Sequence, residues 1–80
     1  MRVFVRVYGS LQRTSAVGQE EKVVEINDGW RVRDLLEDVN IWESDARAIL
    51  INGRKARLDR RLRNRDRIEL SSERKILRPE

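Results

Sequence analysis

Few side chains in this sequence are equipped for covalent chemistry. There is no cysteine and no histidine. That removes the thiolate nucleophile, the thiolate zinc site, the commonest metal ligand and the usual general base at neutral pH. Two carboxylate pairs, Glu20–Glu21 and Glu37–Asp38, would divide acid and base roles only if burial raised one pKa. They fall instead in a polar loop and on the solvated face of a helix. Ser71–Ser72 has no base nearby in sequence, and neither a phosphate-cradling glycine loop nor a metal-ligand spacing is present. The sequence therefore reads as a non-enzyme with no catalytic residues, no cofactor and no metal.

What remains is binding chemistry, in two sets of residues. Phe4, Arg6 and Tyr8 alternate along one segment and so share a face. Aromatic and arginine side chains are enriched at interface hot spots, and this row is a candidate protein interface; its other reading is a cover for a thin sheet. The second set is Arg54, Lys55, Arg57, Arg60, Arg61, Arg63, Arg65 and Arg67, opposed only by Asp59 and Asp66. Such a run is a candidate phosphate-binding edge for RNA. The segment carries no stacking aromatics, which argues against sequence-specific readout; its other reading is a solvated, charge-rich surface. Charge is divided along the chain, with residues 1–53 at net −2 and residues 54–80 at net +6. Fifteen of the 18 basic residues are Arg, which suits planar contacts to carboxylate or phosphate. Trp30 and Trp42 flank a helical segment and are read as packing at its two ends, with a ligand or partner anchor as the alternative.

The elements that hold these residues follow from periodicity. Arg2 to Tyr8 alternates strictly, Val3, Val5 and Val7 on one face and Phe4, Arg6 and Tyr8 on the other, which predicts a half-buried strand. Gly9-Ser10 ends it. Residues 11–21 predict a loop with at most one helical turn. Lys22 to Ile26 is a second strand with Val24 and Ile26 inward, followed by the turn Asn27-Asp28-Gly29. Within Trp30 to Asn40, Val32, Leu35, Leu36 and Val39 form a single helical face. Asp34 favours the helix dipole, and Asn40 suits the left-handed residue that ends a helix. A loop over 41–47 leads to the apolar run Ala48 to Ile51, and Asn52-Gly53 signals a hairpin. Lys55 to Leu58 is a short returning strand. Arg60 to Asp66 is a polar turn pinned by Leu62, and Arg67 to Leu70 is the last strand. Residues 71–80 are expected to be loosely held, with Pro79 forbidding a regular strand end.

An 80-residue chain that is 39% hydrophobic and 40% charged allows one small domain with a compact core. No apolar run approaches the length of a membrane span, and no signal peptide opens the chain; the protein reads as soluble and cytoplasmic. The expected architecture is α+β: a mixed sheet of four to five strands with one amphipathic helix packed on one face, the β-grasp arrangement. The domain is expected over residues 1–70 and a C-terminal tail over 71–80.

Four segments carry a resemblance. Val5-Arg6-Val7-Tyr8-Gly9-Ser10-Leu11, Val32-Arg33-Asp34-Leu35-Leu36, Ile49-Leu50-Ile51-Asn52-Gly53 and Leu62 to Ile68, in that order and in register over residues 2–70, resemble the ubiquitin-like sulfur carriers. These are the small subunit of molybdopterin synthase (MoaD) and the thiamin-pathway carrier ThiS, and the match is nearer the MoaD branch. The resemblance implies docking, through the sheet face away from the helix, onto an adenylating enzyme or a synthase subunit. Three departures accompany it. Arg31 stands where the family places a Thr helix cap, so Asp28 is expected to cap instead. Arg65 stands where the family places Gly, so Asn64 is expected to take the left-handed conformation. The carriers end in Gly-Gly, whereas this sequence reads Ile76-Leu77-Arg78-Pro79-Glu80 and its glycines are Gly9, Gly18, Gly29 and Gly53. The implied function is a noncovalent protein-binding module associated with sulfur transfer or molybdopterin/thiamin biosynthesis, not itself a competent sulfur carrier. The element order is also similar to TGS domains, which implies RNA binding through Arg54 to Arg67 as the alternative.

Overall fold

Strict alternation in the first residues becomes β1 (Arg2–Tyr8), with Val3, Val5 and Val7 at 0% exposure and Phe4, Arg6 and Tyr8 half-buried behind them. In the computed structural model, which describes residues 1–76, a single helical turn α1 (Leu11–Thr14) leads to β2 (Lys22–Glu25), α2 (Val32–Asp38), β3 (Ala48–Ile51), β4 (Arg54–Lys55) and β5 (Arg67–Ser71). A short 3-10 turn spans Glu43–Asp45.

The strands form one mixed sheet in the order β2-β1-β5-β3-β4. Its centre is the parallel pair β1–β5, with Val5 opposite Ile68 and Val7 opposite Leu70. β2 lies antiparallel to β1, β3 antiparallel to β5, and β4 returns along β3. One face is covered by α2, whose Val32, Leu35 and Leu36, with Val39 at its C-cap, join Val3, Val5, Val7, Ile51, Leu62, Ile68 and Leu70 in a continuous core. Each such burial is worth about 1.5–3 kcal/mol relative to exposure, which is how so short a helix is held. This is the ubiquitin-like β-grasp expected from the element order.

Asn52 (φ 53°) and Gly53 (φ 84°) both take positive φ in the β3–β4 hairpin, as the Asn-Gly signal requires. β4 is shorter than the segment expected over 55–58. After the Ala56 N–H donates to the Ile49 carbonyl at 3.0 Å, the chain leaves the sheet for the start of α2. There the Leu58 carbonyl accepts the Arg33 N–H and the Arg60 carbonyl accepts the Val32 N–H, each at 3.0 Å.

Those two carbonyls correct the expectation that Asp28 caps α2. First-turn N–H groups need acceptors, and a distant loop supplies them as backbone. Arg31, unable to accept, instead donates its Nη1 to the Asp59 carbonyl at 2.6 Å, while its N–H donates to Asp34 Oδ2 at 2.7 Å. The far end of α2 closes as a Schellman motif: the Ile41 N–H donates to the Leu36 carbonyl (2.8 Å), the Asn40 N–H donates to Glu37 (3.2 Å), and Asn40 has φ 63°.

Arg65 itself holds the left-handed conformation, with φ 69°, in place of the Asn64 expected there. Asn64 is committed elsewhere: its Oδ1 accepts the Arg2 N–H at 2.9 Å, and the Arg65 N–H donates back to the Arg2 carbonyl at 2.6 Å. The turn clasps the start of β1, and that clasp holds a non-glycine residue where L side chains are strained.

The tryptophans differ. Trp30 packs against the core as expected, but Trp42 is 79% exposed. The Schellman turn directs Ile41 inward, and the next residue must point out. Residues expected to be loosely held are also tied at their start. Ser71 pairs with Tyr8 and Ala48, and Ser72 Oγ accepts the Ser10 N–H at 3.1 Å. Gly9 (φ 67°) permits this approach, since a Cβ there would meet Ser72 Oγ at 2.6 Å. Pro79 lies outside the described residues.

Candidate functional site: the open sheet face

The sheet face away from α2 is built by the outward positions of all five strands. Register places Phe4 beside Val23 of β2 and Arg67 of β5, Arg6 beside Glu69, and Glu69 beside Leu50, which in turn faces Lys55. Phe4, Arg6 and Tyr8 are therefore brought into one row, and Arg67 and Glu69 join them. The Arg67 guanidinium lies over the Phe4 ring, 5.7 Å from its centroid, within range of a cation–π contact. The Tyr8 hydroxyl donates to Glu69 Oε2 at 2.9 Å. These side chains line an open concavity of about 510 Å³. Val23, half-exposed at 50%, extends the apolar surface toward the sheet edge.

Two of the eight basic residues of the second set have side chains committed to other contacts, and the other six are exposed. Arg67 belongs to the open face. Arg60 is turned into a buried network in which its Nη1 donates to Asp66 Oδ2 at 2.6 Å and to the Arg61 carbonyl at 2.9 Å. Arg63 contributes its backbone N–H to the same Asp66 oxygen at 2.8 Å. Arg65 is the strained clasp, and Arg61 pairs through its backbone with Arg31. Arg54 and Lys55 are exposed on the hairpin, and the Arg57 side chain is exposed in the following loop.

Asp66 is the anchor of this region and was missed as a candidate. It is 5% exposed, and its other oxygen accepts from Asn52 Nδ2 at 3.0 Å. Asn52 Oδ1 accepts the Arg67 N–H at 3.0 Å, so the hairpin turn and the start of β5 are joined through one amide. Burial alone would raise the Asp66 pKa. The Arg63 N–H, the Arg60 guanidinium and the Asn52 amide outweigh that and hold it below the ordinary carboxylate value. The only sequence signal for this was a lone acid among arginines. Arg67 was assigned to the basic segment because nothing local reveals that β5 lies parallel to β1.

Among the described residues no group of three or more acidic, His or Cys side chains gathers to hold a metal ion, and no helix is long and apolar enough to cross a membrane. Neither a protein-family model nor a curated protein sequence matches the chain. Solved structures do. A Pyrococcus furiosus protein assigned as molybdopterin converting factor subunit 1 superposes with a TM-score of 0.70 at 25% identity, over 89% of this chain and 95% of that one. This chain has a MoaD-like β-grasp fold. Two crystal structures of small archaeal modifier protein 1 from Haloferax volcanii share its fold at TM-score 0.66 and 16% identity, over 88% of this chain and 92% and 94% of theirs. In this MoaD-like fold all five strands contribute to the open face, and the Asn52-Gly53 turn lies at its margin.

Proposed function

We propose that this MoaD/ThiS-like protein is a noncovalent docking module whose contact surface is the open sheet face, centred on Phe4, Arg6 and Tyr8. The observation that carries the reading is the aromatic–arginine row itself. Its rings are half-buried yet uncovered, and Arg67 and Glu69 hold them in place. Restrained aromatic side chains lose little entropy on binding, which is what an interface anchor needs. The resemblance to the sulfur carriers supports a partner of the adenylating-enzyme or synthase-subunit type, in sulfur transfer.

The test is calorimetric titration of the full chain against the adenylating enzyme and the synthase large subunit encoded in the same genome. Phe4→Ala/Tyr8→Ala should keep the fold and weaken binding by about thirty-fold or more, the size of one hot-spot loss. Unchanged affinity in a folded double variant would reject the assignment. Salt-sensitive capture of RNA, lost on substituting Arg54, Lys55 and Arg57, would move the function to the hairpin.

A further inference from the structure

The helix side of the molecule carries a second surface that the open face does not use. Trp42 leaves the Schellman turn with its side chain in solvent, 79% exposed. An indole left in water gains nothing from packing. Beside it runs an open groove of about 420 Å³, with Ile41 at its base over the buried Leu36, and with Asp34, Glu37 and Glu43 opposing a single cation, Arg33. Asp34 is already engaged by the Arg31 N–H. Among the described residues Glu37 and Glu43 make no ion pair and no side-chain hydrogen bond.

An exposed indole face, two uncommitted carboxylates and a short apolar floor form the recognition set for one side-chain type. A Lys ammonium or Arg guanidinium is attracted by the ring quadrupole, most strongly by Trp. Carboxylates complete its charge, and its methylene stem lies on the apolar floor. An acidic or purely apolar segment would leave Glu37 and Glu43 desolvated against nothing. We propose that the Trp42 groove docks a basic segment of a partner protein, with a Lys or Arg side chain stacked on Trp42 and held by Glu37 and Glu43. The groove lies on α2 and the turn after it, across the sheet from Phe4 and Tyr8. One partner can therefore occupy each surface at the same time.

The experiment is titration of the isotope-labelled full chain with the capped peptide Gly-Arg-Lys-Gly-Arg-Lys-Gly, read by amide and indole NMR resonances. The Trp42 indole N–H and the amides of residues 36–43 should move, while Phe4 and Tyr8 stay in place. Trp42→Ala, at a solvent-exposed position, should weaken binding about three- to thirty-fold. Glu37→Gln/Glu43→Gln should weaken it and flatten its salt dependence, and a peptide with neutral citrulline and norleucine in place of Arg and Lys should not bind. Equal affinity in Trp42→Ala, or shifts confined to the sheet face, would overturn the proposal. So would Trp42 shifts that grow with protein concentration in the absence of peptide, since these would give the groove to a second copy.

Discussion

The two faces of the sheet are made by the same strands, one residue apart, and are built on different principles. The inner face is aliphatic and closed: Val3, Val5, Val7, Ile68 and Leu70 are all buried beneath α2. The outer face is aromatic and charged, and its members contact one another through a cation–π pair and a hydroxyl–carboxylate bond instead of through packing. A buried aliphatic has no use beyond stability. A restrained but uncovered ring contributes little to stability and much to recognition. The residues that fold the chain are thus distinct from those we propose dock a partner.

Four variants test that contrast. Leu35→Ala, which opens a cavity under the sheet, should cost about 2–5 kcal/mol in urea denaturation, a large share of what so small a domain has. Asp66→Asn should cost about 1–3 kcal/mol at neutral pH, because it leaves the Arg60 guanidinium without its carboxylate. It should also change the acid limb. The native Asp66 pKa lies below its ordinary value, so its contribution is complete above that value and is lost as pH falls through the native pKa. The wild-type stability curve should drop more steeply than that of Asp66→Asn in the most acidic range. Phe4→Ala/Tyr8→Ala should lower stability by only about 1–2 kcal/mol for two half-buried rings. A cost matching that of Leu35→Ala would make the outer face structural and end the contrast. Arg65→Gly should act in the opposite direction, raising stability by about 1 kcal/mol through relief of the left-handed strain, seen as a higher thermal midpoint.

The sites of these substitutions show how unevenly the molecule was legible. Leu35 sat in a helical i, i+3, i+4 face and was readable as core. Phe4 and Tyr8 were readable as one surface because strand alternation is a local rule. Asp66 was not, since its partners Arg60, Arg63 and Asn52 converge only when the hairpin meets the start of β5. Arg65 was misjudged because a turn's conformation also depends on what it clasps, and Asn64 was held by Arg2.

Whatever depends on period and on residue type was written in the amino acids. Alternation defined β1, the apolar face defined α2, Asn52-Gly53 defined the hairpin, and the absence of Cys and His set aside their chemistry. Whatever depends on which distant backbone arrives where came from chain closure. Loop carbonyls at Leu58 and Arg60 cap α2. The parallel pairing of β1 with β5 sets Arg67 on Phe4, and the Schellman turn leaves Trp42 in water. Side-chain direction along a strand or helix is a local consequence of backbone geometry, whereas the partner of a hydrogen-bonding group is a property of the whole closed chain.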